Sequence, residues 1–160
     1  MTETRTSLEP VASTAALLAA IALGLSAGAM LTEGAVLVPY WRSLPPDSFL
    51  SWYAENASLL FDFFGPLEIA SALLAVVAAG LYRFERRRGS GWLVLSAVLA
   101  LAVLAAFPLY FREVNASFAA GTTGLDRVPE ELARWAAWHW ARTAIGVGAF
   151  GAALLARMGR

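Results

Sequence analysis

Several polar side chains fall near the same end of four long apolar segments, and their types suit proton transfer on an apolar molecule. They are three acids, one amide, the only histidine and one arginine: Glu33, Glu68, Glu113, Asn115, His139 and Arg142. Ionisable groups at membrane depth are rare and usually meet protein or a water-filled cavity rather than lipid. Histidine ordinarily titrates near neutrality and can act as a base. An arginine beside it can stabilise the oxyanion that proton removal leaves.

Tryptophans surround the histidine. His139 stands between Trp138 and Trp140, and Trp135 lies one helical turn earlier. Such rings can stack on a flat lipophilic molecule, which predicts a binding role for Trp135 and Trp138. The other interpretation is that the aromatic residues anchor the chain in the outer membrane interface. The residues predicted for that outer ring are Tyr40, Trp41, Trp52, Tyr53, Tyr110, Trp135, Trp138 and Trp140.

Two further interpretations of the polar set remain open. One is that the polar groups form ion pairs that only hold the bundle together. The pairs would be Glu33 or Glu68 with Arg142, and Glu113 with Arg112. A mixed Glu/His metal site is the other, although a single histidine excludes the paired Glu-x-x-His pattern of di-iron bundles. We expect neither a metal nor a cofactor.

The elements that carry these groups are four candidate membrane spans. They are Val11–Val38, Phe63–Tyr82, Trp92–Phe111 and Trp135–Ala156. About 20 helical residues cover the ~30 Å hydrocarbon core of a bilayer. We therefore predict an all-α fold, an integral membrane four-helix bundle formed as a single domain by residues 1–160.

The composition agrees with a membrane protein. Of the 160 residues 59% are hydrophobic and 15% are charged, and the mean hydropathy is +0.61. The net charge is zero, which gives no indication of a nucleic-acid partner. Without cysteine, disulfides and sulfur-ligated metals are excluded. The expected partners are the lipid bilayer and a lipophilic small molecule, and a homo-oligomer is left open.

Arginines predict the orientation. Four lie in the short connection 83–89 between the second and third spans, and such loops stay cytoplasmic. Both termini are then inside, consistent with Arg157 and Arg160, and we expect the bacterial plasma membrane. The first apolar run is longer than a signal-peptide core and lacks a basic flank, which favours a retained span.

Between the first two spans, the pattern predicts a short amphipathic helix in the outer loop. It begins after Pro45-Pro46 and either lies on the surface or runs into the second span. The apolar stripe comprises Phe49, Trp52, Asn56, Leu59 and Phe63. Gly65-Pro66 predicts a kink or a restart, and residues 115–134 predict a loop with a short helical turn.

Small and polar residues recur every three or four positions in three spans and predict the faces that point inward. The first face comprises Ala22, Ser26, Ala29 and Glu33; the second Glu68, Ser71, Ala75 and Ala79; the last His139, Arg142 or Thr143, Gly146 and Ala149. With both termini inside, all four spans bring a polar group to the outer side, the third through Glu113 and Asn115.

The order of these motifs resembles the anthrone-oxygenase-like family of small four-span membrane proteins. The resemblance rests on Val38-Pro39, Asn56, Pro108, Asn115 and the run Trp135-x-x-Trp138-His139-x-x-Arg142-Thr143, and extends over about residues 15–157. It implies oxidation of an anthrone to an anthraquinone by O2 without a known cofactor.

The same resemblance implies roles for individual residues. His139 would remove the activated ring proton, Arg142 and Asn115 would stabilise the oxyanion, and Trp135 and Trp138 would hold the rings. It gives no role to Glu33 or Glu68, which we predict to contact the substrate.

We therefore expect a membrane protein with an outer-side polar pocket for a lipophilic aromatic or quinol-like molecule, which the protein, if it is an enzyme, oxidises with O2. The alternative is a non-catalytic bundle that binds lipid, assists a partner or transports a small solute.

Overall fold

The computed structural model describes residues 8–158, which form four long helices. They are α1 (Glu9–Ser43), α2 (Pro46–Phe84), α3 (Ser90–Ala119) and α4 (Val128–Met158). Throughout this described range every regular element is helical, so the all-α prediction is confirmed. Arg160, part of the argument for a cytoplasmic C-terminus, lies outside the described residues.

Helices α1, α2 and α3 are each long and apolar enough to cross a membrane. Their most apolar windows have mean hydropathies of 2.0, 1.8 and 2.4. Helix α4 is not among them; Glu130, Glu131 and Arg134 lie in its first two turns, and Arg142 and Arg157 follow further along the helix. Length and composition thus indicate a membrane protein with helices α1 to α3 as candidate spans.

The four helices pack in a ring, with α1 against α2, α2 against α3, α3 against α4 and α4 against α1. In the half that contains the α2–α3 connection, the core consists largely of alanine, and small side chains let helix backbones approach closely. Its buried alanines include Ala12, Ala16, Ala19, Ala75, Ala78, Ala97, Ala100, Ala149, Ala153 and Ala156.

The opposite half has an aromatic core. It contains Trp41, Phe49, Tyr53, Phe111, Phe118 and Trp135, all buried. The prediction that Trp41, Tyr53 and Trp135 ring the membrane interface is therefore wrong. The chain turns at Leu44-Pro45, so the first turns of α2 fold back over the ends of the other helices and cover these rings. Tyr40, Trp138 and Trp140 remain exposed on the surface.

The predicted short amphipathic helix is not a separate element. It forms the first turns of α2, which continues without interruption past Gly65-Pro66 to Phe84. Its buried or partly buried face follows Phe49, Tyr53, Ala57, Leu60, Phe64 and Glu68, whereas Leu59 and Phe63 from the predicted stripe are 68% and 57% exposed. On a membrane helix, lipid-facing positions are apolar too, so an apolar stripe does not identify the inward face.

Two helices contain a widened turn next to a proline. Residues Glu33–Leu37 of α1 and Phe107–Phe111 of α3 form π-helical turns. Pro39 follows the first turn and Pro108 lies in the second; proline cannot donate to the carbonyl four residues earlier and crowds it. Such turns are frequent at functional sites, and here they carry Glu33 and Phe111. Helix α3 continues to Ala119, leaving residues 120–127 as the loop before α4.

Candidate functional site

The centre of the site is the buried guanidinium of Arg142 on α4. Its Nη2 donates to Oε2 of Glu33 from α1 at 3.1 Å, and its Nη1 donates to Oε1 of Glu68 from α2 at 3.3 Å. Both carboxylates are buried as well, with 4% and 7% exposure. A buried charge is tolerated when it is paired and hydrogen-bonded. One arginine therefore joins three helices through two acidic partners.

His139 holds the other side of the guanidinium. Nε and Nη2 of Arg142 lie 3.3 and 3.2 Å from His139 Nδ1, and His139 Nε2 lies 2.8 Å from the carbonyl oxygen of Met30. A carbonyl only accepts, so Nε2 carries the proton and Nδ1 is the acceptor. The imidazole is thus neutral, and Arg142 occupies the lone pair that a base would use.

A glycine makes room for this imidazole. A Cβ added at Gly34 would lie 3.1 Å from the His139 ring and 3.1 Å from the Trp140 ring. The hydroxyl of Thr143 donates to the backbone carbonyl of His139 at 2.8 Å. The ring itself is held by Met30 and Arg142 at its two nitrogens, and the side chain is completely buried.

Aromatic side chains complete the surroundings of the pair. Trp135 stacks on His139, with ring centroids 5.0 Å apart and planes inclined by 7°. The guanidinium of Arg142 lies over the face of Phe111, 4.3 Å from its centroid, a favourable cation–π arrangement. Trp135 Nε1 donates to Oδ1 of Asn115 at 2.8 Å, which connects α4 to the end of α3.

Beside this cluster lies a cavity of about 690 Å³ between α2, the second half of α3 and α4. Pockets for small organic ligands have volumes of roughly 300–1,000 Å³. The aromatic side chains that line it are Tyr53, Phe61, Phe64, Phe107 and Trp135, together with Leu60, Ile69 and Leu104. Its polar floor, defined as Glu33, Glu68 and Arg142, is buried, whereas Asp62 and Arg112 line it from exposed positions.

The second oxygen of each floor carboxylate is unused. Within residues 8–158, the hydrogen bonds from Arg142 reach Glu33 Oε2 and Glu68 Oε1, and neither Glu33 Oε1 nor Glu68 Oε2 accepts a hydrogen bond. His139 lies 3.5 Å from Glu33, at Oε2. The cavity is therefore lined by two buried carboxylates, each of which has an oxygen free to accept a hydrogen bond.

The structure brings most of the predicted site residues together. Glu33, Glu68, Arg142, Asn115 and Trp135 all line the cavity. His139 contacts Arg142 but does not line the cavity, and Trp138 is 41% exposed and stacks on Tyr110 with centroids 5.0 Å apart. Glu113 is exposed.

Sequence reasoning missed the aromatic wall of the cavity. Tyr53 and Phe64 lie on the same face of α2 as Glu68. That shared face was the only feature of the sequence that distinguished them from Leu59 and Phe63. Phe107 lies in the widened turn of α3, whose register a regular helix does not predict.

For residues 8–158, no group of three His, Asp or Glu side chains is arranged to hold a metal ion. The guanidinium of Arg142 takes the position between Glu33 and Glu68, where a cation would otherwise balance the carboxylates. Comparisons with protein families, curated proteins and solved structures found no match for the chain.

Proposed function

We propose that all four helices span a bacterial plasma membrane, with both termini and the α2–α3 connection on the cytoplasmic side. Helix α4 has 31 residues, about 46 Å at ~1.5 Å per residue, and packs beside α1 and α3. Its outward face carries Val147, Leu154 and Leu155. The arginine-rich connection supports this orientation because short arginine-rich loops remain inside.

Cysteine labelling tests this topology, because the chain contains no cysteine. Arg88 and Thr122 are exposed in the α2–α3 and α3–α4 connections. In intact cells, a membrane-impermeant maleimide should label Thr122→Cys and should label Arg88→Cys only after lysis. Labelling of both in intact cells, or of neither, contradicts four spans in this orientation.

The function that the geometry supports best is binding of a flat, lipophilic aromatic molecule in the outer-side cavity. The observation that carries this proposal is a 690 Å³ space with aromatic walls that ends at the buried pair of carboxylates and Arg142. An apolar pocket with a few fixed polar groups is the usual form of a small-molecule site. The rings contribute binding surface, and the floor orients polar substituents.

The reaction we propose is oxidation of an anthrone-like or quinol-like molecule by O2. For an anthrone, a base takes one proton from the ring CH2, and the resulting carbanion gives its electrons to O2. One oxygen atom becomes the new ring carbonyl and the other leaves as water, so CH2 and O2 yield C=O and H2O. The ligand and O2 supply all the electrons.

The resemblance assigns the base to His139, but the buried carboxylates that line the cavity are Glu33 and Glu68. We assign proton acceptance to Glu68, because Glu33 also contacts His139 whereas Glu68 is held by Arg142 alone. Arg142 stabilises the negative charge that develops on the ring oxygen. His139 acts as a positioning residue that orients the guanidinium.

Binding and turnover are measured on the purified protein in detergent with an anthrone. Trp135→Phe should weaken binding, whereas Trp138→Phe, which alters a ring outside the cavity, should not. O2 consumption should occur in the wild type and be lost in Glu68→Gln. Saturable binding without O2 consumption refutes the oxidation, and absence of saturable binding refutes the site.

A second candidate is binding of a membrane lipid without chemistry. Phe61 and Ile69 line the cavity and are 58% and 51% exposed on the bundle surface, so the cavity adjoins the bilayer. A stoichiometric phospholipid retained through purification, and displaced by no anthrone, supports this candidate over the first.

A further inference from the structure

We infer that the cavity selects a ligand that donates hydrogen bonds to the floor, so that a hydroxylated aromatic binds in preference to its quinone or its methyl ether. This inference rests on the proposed function and specifies the class of molecule that the same site accepts. It follows from counting which donors and acceptors of the floor are already engaged.

The donors of Arg142 are largely committed inside the protein. A guanidinium has five N–H groups. The Nε hydrogen points to His139, the two on Nη2 to Glu33 and His139, and one on Nη1 to Glu68. A single Nη1 hydrogen remains. A ligand carbonyl that approaches the floor therefore finds at most one donor on the arginine.

The acceptors of the floor are available. Glu33 Oε1 and Glu68 Oε2 are the unused oxygens described above, and both side chains are more than nine-tenths buried. When both are ionised, two carboxylates face one guanidinium and a neutral imidazole, which leaves one negative charge in excess. The partial positive charge of a ligand O–H proton is attracted by this excess negative charge, whereas the partial negative charge of a carbonyl oxygen is repelled by it.

The other polar groups of the lining supply both donors and acceptors, so the preference rests on the two buried carboxylates. Asn115 accepts from Trp135 through Oδ1 and keeps its amide N–H groups as donors, and Arg112 is exposed. The Tyr53 hydroxyl can both donate and accept. Pro66 cannot donate to the carbonyl of Asp62, four residues earlier, and Asp62 lines the cavity.

A direction for the reaction cycle follows. A quinol binds by donating an O–H group to Glu68 or Glu33, in the arrangement from which a proton can transfer. Its oxidation passes two electrons and two protons to O2, so that a quinol and O2 yield a quinone and H2O2. Oxidation to a quinone removes the donor and leaves the carboxylate oxygens buried without a partner, which is unfavourable. The oxidised product should therefore bind more weakly than the reactant.

The test compares three probes of similar shape by titration calorimetry of the detergent-solubilised protein: 2-naphthol, 2-methoxynaphthalene and 1,4-naphthoquinone. A hydrogen bond to a charged group contributes roughly 1.5–3 kcal/mol, so 2-naphthol should bind at least about tenfold more tightly than either other probe. In Glu68→Gln the preference should fall to less than about threefold, because the amide also donates.

The variants also separate site binding from partition of the probes into the micelle, since partition is the same for wild type and Glu68→Gln. Glu33→Gln serves as the second variant if Glu68→Gln does not fold. Equal or tighter binding of the ether or quinone by the wild type overturns this inference while the proposed site stands. No saturable binding of any probe overturns both.

Discussion

Replacing Arg142 by methionine should destabilise the protein far more than its loss of packing surface explains. Methionine keeps the unbranched stem as far as about the position of Nε but removes the guanidinium and its positive charge. Glu33 and Glu68 would then remain buried with no cation on the oxygens that now lie 3.1 and 3.3 Å from the guanidinium. Breaking a buried ion pair by removing one partner costs about 3–5 kcal/mol.

The triple variant Arg142→Met/Glu33→Gln/Glu68→Gln separates charge from shape. It removes all three charges together and keeps the approximate volumes, and replacement of a whole buried ionic cluster is often neutral or stabilising. We expect its free energy of unfolding to lie within about 2 kcal/mol of the wild-type value. The assay is unfolding in mixed micelles at increasing SDS, followed by helicity.

Helix α4 offers a matched control. Arg134 also contacts two acids, Glu130 and Glu131, each at 3.0 Å, but it is half exposed. Arg134→Met should change the free energy of unfolding by less than about 1 kcal/mol, since exposed pairs contribute little. A stability of Arg142→Met equal to that of Arg134→Met would contradict a buried charge cluster, and so would a triple variant no more stable than Arg142→Met alone.

Two further substitutions test the packing that positions the site. Gly89 has φ +82° and a Cβ there would lie 2.5 Å from the Ala156 carbonyl oxygen, whereas Gly121 has φ +63° and open space. Gly89→Ala should therefore lower the unfolding midpoint clearly more than Gly121→Ala, although both carry the cost of about 1–2 kcal/mol for a left-handed residue; equal midpoints would exclude the close contact of α3 with α4. Gly34→Ala should push the His139 ring aside and weaken 2-naphthol binding several-fold, measured by calorimetry; unchanged affinity would show that His139 does not position Arg142.

The convergence of the polar groups was predictable from the sequence. Ionisable side chains in apolar segments cost free energy. Those of this chain also lie at the same end of their spans and share faces with small residues; they are Glu33, Glu68, His139 and Arg142. These three constraints together predict a common buried site, and the contacts of Arg142 agree with that prediction.

The immediate neighbours of these groups were harder to predict. Successive residues on a helix point about 100° apart, so Trp138 and His139 could not both face the site, and only Trp135, four residues before His139, stacks on it. Adjacency in the sequence was misleading for this reason.

The cavity and the aromatic core were not predictable from patterns alone. Apolar side chains cover both the lipid-facing and the inward sides of a membrane helix, so periodicity did not distinguish Tyr53 and Phe64 from Leu59 and Phe63. The widened turns at residues 33–37 and 107–111 also shift the register of α1 and α3. Both effects depend on how the helices fold together.

The most direct test of the central claim is the position of a bound ligand. Crystals of the protein soaked with 6-bromo-2-naphthol can be measured at the bromine absorption edge. We predict one anomalous peak inside the cavity between α2 and α3, with the naphthol oxygen within hydrogen-bond distance of Glu68 or Glu33. A peak only on the lipid-facing surface, or a naphthol oxygen directed away from both carboxylates, would contradict it.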